Sequence, residues 1–153
     1  MSTEWIVRLA RPGDIPRLAE LCGQLGYPSE TAQVQQRFDL IAASTQQAIL
    51  VVEHSRDGVV GWAHVLRQCF LESDPFAELG GLVVSERHRR TGVGRALMAG
   101  VEEWCAQQGI ESIRLRSNTI RHAAHRFYQQ MGFTVEKTQY TFVKRLGPAG
   151  EKP

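Results

Sequence analysis

The chain has 153 residues, 42% of them apolar and 22% charged, with a formal net charge of +2; this suits one domain with a buried core and makes no case for nucleic acid by itself. No apolar run reaches the ~20 residues a membrane helix needs, and the opening MSTEWIVRLARPGD has no signal-peptide core. Cys22, Cys69 and Cys105 are far apart, without a CxxC pair, so neither a disulfide framework nor a metal site is expected, and the reading is a cytoplasmic protein with no membrane partner.

In chain order, WIVRLA alternates as a first strand, and RPGD turns the chain with Asp14 as a candidate helix cap. Ile15, Leu18, Cys22 and Leu25 recur at helical spacing. GYPSE breaks that helix, and Ser29 can cap a second one carrying Val34, Phe38 and Ile41. AILVVE and VVGWAHVL read as two strands joined by a turn at Asp57-Gly58. AELGGLVVS is a further strand with adjacent glycines, Gly80 and Gly81. Val93, Leu97, Val101, Trp104 and Cys105 mark one helical face that ends at Gly109. SIRLR is a short strand. Ile120, Ala124, Phe127, Tyr128 and Met131 mark another helical face, ending at Gly132, and TQYTFVK reads as a last strand. The order β-α-α-β-β-β-α-β-α-β predicts an α/β (α+β) fold with a mixed central sheet flanked by helices. One domain is expected over 1–147, with a flexible tail over 148–153.

The stretch RRTGVGRALM places three arginines and two glycines at a helix start. First-turn amides have no intrahelical partner and lie at the positive end of the dipole. Gly92 and Gly94 remove the Cβ atoms that would hold a ligand away, and Arg89, Arg90 and Arg95 add charge. The pattern suits a phosphate or pyrophosphate. It is neither GxxxxGK[ST] nor a GxGxxG after the first strand, which excludes a P-loop and weakens a dinucleotide reading.

LVVSERHRRTGVGRALM resembles the signature segment of the GNAT superfamily, the acetyl-coenzyme A-dependent N-acetyltransferases, whose hallmark is Q/R-x-x-G-x-G/A between a strand and a helix. SNTIRHAAHRFYQQMGF resembles that family's later motif, with an Asn after the strand, an aromatic–Tyr pair and Gly-Phe. The resemblance is strongest over residues 78–133 and implies a mostly antiparallel sheet, acetyl-CoA as co-substrate and a small-molecule or peptide amine as acceptor. It also implies a homodimer, for which the last strand is a candidate interface.

By that resemblance, backbone amides from about Arg90 to Ala96 (Arg90, Thr91, Gly92, Val93, Gly94, Arg95 and Ala96) cradle the pyrophosphate; Arg89 also belongs to the donor site, and the arginine that meets the 3′-phosphate is left open. The pantetheine arm pairs with Leu82, Val83 and Val84, and the Val83 amide is the expected oxyanion donor. Asn118 either contacts the arm or caps the following helix. Tyr128 is the candidate general acid. Glu78 is the candidate base, its pKa expected to rise on a buried strand; His64 or a water chain is the alternative. The acceptor is expected between the first two helices and loop 67–77, near Tyr27, Phe70, Phe76, Glu72 and Asp74. Two other functions compete: a non-catalytic acyl-CoA sensor, and nucleic-acid binding through residues 87–95, which would be steeply salt-dependent.

Overall fold

A computed structural model describes residues 4–148, which fall into two compact units divided after Arg121. The first unit is built on a five-stranded sheet in the order β1-β2-β3-β4-β5, with β1 Trp5–Leu9, β2 Gln47–His54, β3 Gly58–Gln68, β4 Phe76–Val84 and β5 Ile113–Leu115. Every neighbouring pair is antiparallel except β4 with β5. Helices α1 Ile15–Leu25 and α2 Thr31–Ala42 cover one face, and α3 Val93–Gln107 covers the other. The β2–β3 hairpin turns where expected, with Gly58 at a φ of 70°.

The core follows the two periodicities. Ile15, Leu18, Ala19 and Leu21 of α1 and Val34 and Phe38 of α2 pack on Val51, Val59 and Val83, with Trp62 partly buried beside them. From α3, Val93, Leu97, Met98, Val101 and Cys105 are buried. Met98 lies one position beyond the stripe read from the sequence, on a wider apolar face.

Local caps differ from expectation in two places. Asp14 makes no side-chain cap to α1; its carboxylate binds the Arg11 amide at 2.7 Å and takes both ends of the Arg8 guanidinium at 2.8 and 2.9 Å. Arg8 also donates to Glu53 at 2.8 Å, so one side chain ties β1 to β2 and to the start of α1. Ser29 does not cap α2: its hydroxyl donates to the Tyr27 carbonyl and accepts from Arg37, while the Glu30 amide is satisfied by Gln33 at 2.9 Å.

In the second unit, α4 spans His122–Gln130. Ala124, Phe127, Tyr128 and Met131 are half-buried, and Tyr128 packs edge-on against Phe127 and Phe133. Ile120 lies outside the helix and is exposed. The expected last strand does not form: 138–144 has no regular structure, and Tyr140 and Phe142 are each 91% exposed. Alternation alone does not make a strand, which takes its hydrogen bonds from a neighbour, and none pairs with it among the described residues. The expected flexible tail lies outside the described residues, apart from Pro148.

The Arg8 hydrogen bond is the largest cause holding the Asp14 carboxyl below its usual 3.8. A depressed folded pKa gives stability that is present above the unfolded value and lost as pH falls through the folded one. Asp14→Asn is therefore less stable than the parent at neutral pH, and the gap closes as the parent is titrated into acid. Urea melts at several pH values measure this; a pH-independent gap rules out the ion pair as its source.

Candidate active site

Strand β4 is paired on both edges only over Ala77–Leu79, where Ile113–Leu115 runs parallel to it. Beyond Leu79, no strand among the described residues pairs with that edge. On the other edge, the register with β3 shifts between His64 and Val65, so Gly80 is an extra residue, a bulge. The adjacent glycines have a steric reason. A Cβ on Gly81 would lie 2.9 Å from the Trp62 ring, and one on Gly80 would lie 3.1 Å from His64 Nδ1.

The register also decides which backbone groups are displayed. Ser85 donates to the Val60 carbonyl at 2.7 Å, so Ser85 faces β3. Antiparallel partners alternate between hydrogen-bonded and non-bonded pairs. Val83, opposite Trp62, therefore also points its amide at β3, while Leu82 and Val84 turn theirs to the open edge. This corrects the expectation for Val83, whose amide is committed within the sheet. The Val84 carbonyl, on the open side, accepts from Arg89 Nε at 3.3 Å.

The chain leaves β4 through Ser85, which is buried, and a short 3-10 turn, Glu86–His88. Side chains hold this loop from two directions: Gln24 accepts from the Glu86 amide at 3.0 Å, and Asp57 meets His88 Nε2 at 2.8 Å. Thr91 donates its hydroxyl to the His88 carbonyl. Arg90 has a φ of 63° and Gly92 a φ of 95°, two left-handed residues that swing the chain into α3. A side chain at Gly92 would be strained by this backbone angle. No side chain caps α3. Ala96 donates to the Gly92 carbonyl at 3.0 Å, closing the first helical bond. The Ala96 amide is thus taken, and those of Val93, Gly94 and Arg95 have no intrahelical acceptor. Arg89, Arg90 and Arg95 are all exposed around this corner.

Opposite residues on paired strands share a face, which puts Trp62, His64, Gly81 and Glu78 on the side covered by α1 and α2. Glu78 keeps 16% of its side-chain surface; Gln68 donates to one oxygen and Arg116 to the other, each at 3.0 Å. His64 Nε2 pairs with Gln47 Oε1 at 2.8 Å, and its Nδ1 faces Gly80. Burial pushes the His64 pKa below the usual 6.5, outweighing the opposite pull of Glu78. Neutral His64 donating to Gln47 leaves Nδ1 as an acceptor beside the bulge. Gln47, Gln68 and Arg116 were missed in the sequence because only strand register brings them to His64 and Glu78.

The remaining expectations divide. Asn118 lies four residues before α4, and its Oδ1 accepts from the Ile120 amide at 3.2 Å. Phe76 is buried with Arg114 over its ring, whereas Tyr27, Phe70, Glu72 and Asp74 are exposed. Cys69 is exposed and Cys105 buried, as a core role for Cys105 requires. Tyr128 belongs to the second unit. No helix among the described residues is long and apolar enough to cross a membrane.

The model of the acetyltransferase (GNAT) family matches residues 15–133, and the chain belongs to that family. N-acetyltransferase family 8 member 3 of Rattus norvegicus is 35% identical over 111 residues, 67% of this chain but 46% of that protein, so the chain spans about half the length of that relative. Aminoglycoside N(6′)-acetyltransferase type 1 of Stenotrophomonas maltophilia is 27% identical over 147 residues, covering 94% of this chain and 95% of its own. In structure, an aminoglycoside N-acetyltransferase solved in complex with CoA matches with a TM-score of 0.85 over 95% of this chain and 97% of that one; at 17% identity the likeness is one of fold.

The environment of His64 gives a direct test. Its imidazole should titrate below the usual histidine value in an NMR pH series, and replacing Gln47 by Leu should shift that titration. A normal value for His64 in the intact protein would contradict the buried, neutral ring.

Proposed function

We propose that this chain is an N-acetyltransferase that moves the acetyl group of acetyl-CoA directly to a primary amine within a ternary complex. The observation that carries the reading is the free edge of β4 at Leu82 and Val84, which leads through one short loop into the bare first turn of α3. The amides of Val93, Gly94 and Arg95 hold the diphosphate, with positive charge from Arg89, Arg90 and Arg95. The edge groups of Leu82 and Val84 suit the two amides of a pantetheine arm, and Asn118 is assigned to the same arm from its motif position. Residues 1–147 are read as one acetyltransferase domain. The names of the aminoglycoside-modifying relatives support a small-molecule amine as acceptor.

The acetyl-CoA thioester supplies an activated acyl carbon. The amine lone pair attacks it, a C–N bond forms and the C–S bond breaks. In this scheme the Leu82 amide donates to the oxygen as its charge develops, replacing the Val83 amide in that role. His64 or Glu78, directly or through water, takes the proton the amine loses. Tyr128, assigned from its motif, protonates the departing thiolate. Neutral His64 can accept without first giving up a partner on Nδ1, whereas both Glu78 oxygens already have donors. That second fact is also what favours the competing reading, a non-catalytic acyl-CoA sensor.

CoA-thiol release measured across aminoglycosides, polyamines, amino acids and peptides separates the two. The transferase reading expects at least one amine to drive release, and Tyr128→Phe to lower turnover by about 10²-fold with little change in donor affinity. His64→Gln or Glu78→Gln, whichever removes the base, flattens the acidic limb of the rate–pH profile. Intact donor binding with no amine-dependent release across the panel leaves the sensor reading standing instead.

A further inference from the structure

At the end of the sheet where β2 turns into β3, three potential ligands meet that acetyl transfer does not use. His54 ends β2, Asp57 stands in the turn, and His88 ends the 3-10 turn of the loop after β4, 31 residues beyond Asp57. One ligand atom from each lies within 4.8 Å of the other two. Asp57 Oδ2 is 2.8 Å from His88 Nε2 and 3.6 Å from His54 Nδ1. Metal bonds of about 2.0–2.1 Å at a tetrahedral centre need ligand atoms roughly 3.3 Å apart, within that spread. Both imidazoles are largely buried, while Asp57, at 42% side-chain exposure, is free to adjust.

The protonation states suit a cation. His54 Nδ1 accepts from the Arg56 and Asp57 amides at 3.2 and 3.3 Å, so it carries a lone pair and no proton. Those bonds are long, and a metal ion competes for the lone pair at the cost of turning two turn amides toward water. On the far side of the ring, His54 Nε2 faces Glu4 Oε2 at 3.6 Å. A carboxylate behind a ligating histidine is the usual outer-shell arrangement of such sites. Asp57 Oδ2 accepts from His88 Nε2 at 2.8 Å, so an oxygen lone pair already points into the cluster. His88 Nδ1 is buried with no hydrogen-bond partner. Moving the ring proton to that atom, which frees Nε2 for a metal, therefore breaks no bond there.

We propose that His54 through Nδ1, Asp57 through Oδ2 and His88 through Nε2 bind one divalent transition metal ion of the Zn(II) type. Imidazole nitrogens favour such an ion over Mg(II) or Ca(II), and three protein ligands leave at least one position for water or an anion. The ion staples the β2–β3 turn to the loop that delivers Arg89–Gly92 to the start of α3. The site stands whether or not the chain transfers acetyl groups.

The test is titration of the chelator-stripped full chain with Zn(II) by calorimetry and with Co(II) by visible absorption, beside thermal melts. The expected result is one ion per chain and a melting temperature raised by Zn(II). His54→Ala, His88→Ala and the shape-conserving Asp57→Asn should each weaken binding by more than about tenfold. His122→Ala, which alters the other close histidine pair, on α4, should bind as the parent does. No saturable uptake, uptake indifferent to the three ligand variants, or uptake lost in His122→Ala would each overturn the proposal.

Discussion

On its β5 side, strand β4 has no paired strand beyond Leu79 among the described residues, and the proposed donor site depends on that. A parallel strand longer than Ile113–Leu115 would consume the amides and carbonyls of Leu82 and Val84 in an ordinary ladder. Because β5 stops, no strand among the described residues pairs with those groups. The Gly80 bulge falls at the point where the pairing ends, and it settles which residues face that edge. Unpaired backbone is costly when buried and hazardous when exposed. A ligand that supplies the missing pairs removes both problems.

The loop after β4 extends the same logic to charge. Two turns through left-handed backbone, at Arg90 and Gly92, bring α3 in with its first amides bare and three guanidinium groups nearby. This conformation carries strain and like-charge repulsion that an anion would relieve. Several contacts keep the loop there: the buried Ser85 bond to Val60, the Gln24 bond to Glu86 and the Asp57 bond to His88. A loop held at three points is preorganised, as the proposed diphosphate cradle requires.

Most of this was legible in the chain because it is local. Asp57-Gly58 announces its hairpin, and Gly92 and Gly94 announce their helix start, since the residue types required there are few. What sequence could not give is set by pairing across distance. Whether Leu82 or Val83 faces the open edge depends on the register with β3 and on a bulge two residues earlier. The partners of Glu78 come from positions 68 and 116, and the His54–Asp57–His88 cluster joins segments that no spacing rule connects. Local readings also failed where a competing partner was stronger. Asp14 was drawn to Arg8 rather than to the helix it precedes, and residues 138–144 alternate like a strand but have no neighbour to pair with among the described residues.

The central claim is that the corner at Gly92 and the edge of β4 together hold a CoA thioester. Isothermal titration of CoA into the folded protein tests this most directly when the parent is compared with Gly92→Glu, a change that puts bulk and negative charge among the first-turn amides. The account predicts saturable one-to-one binding by the parent and its loss in a variant that still melts cooperatively. Absence of binding by the parent, or equal affinity in the two, would contradict it.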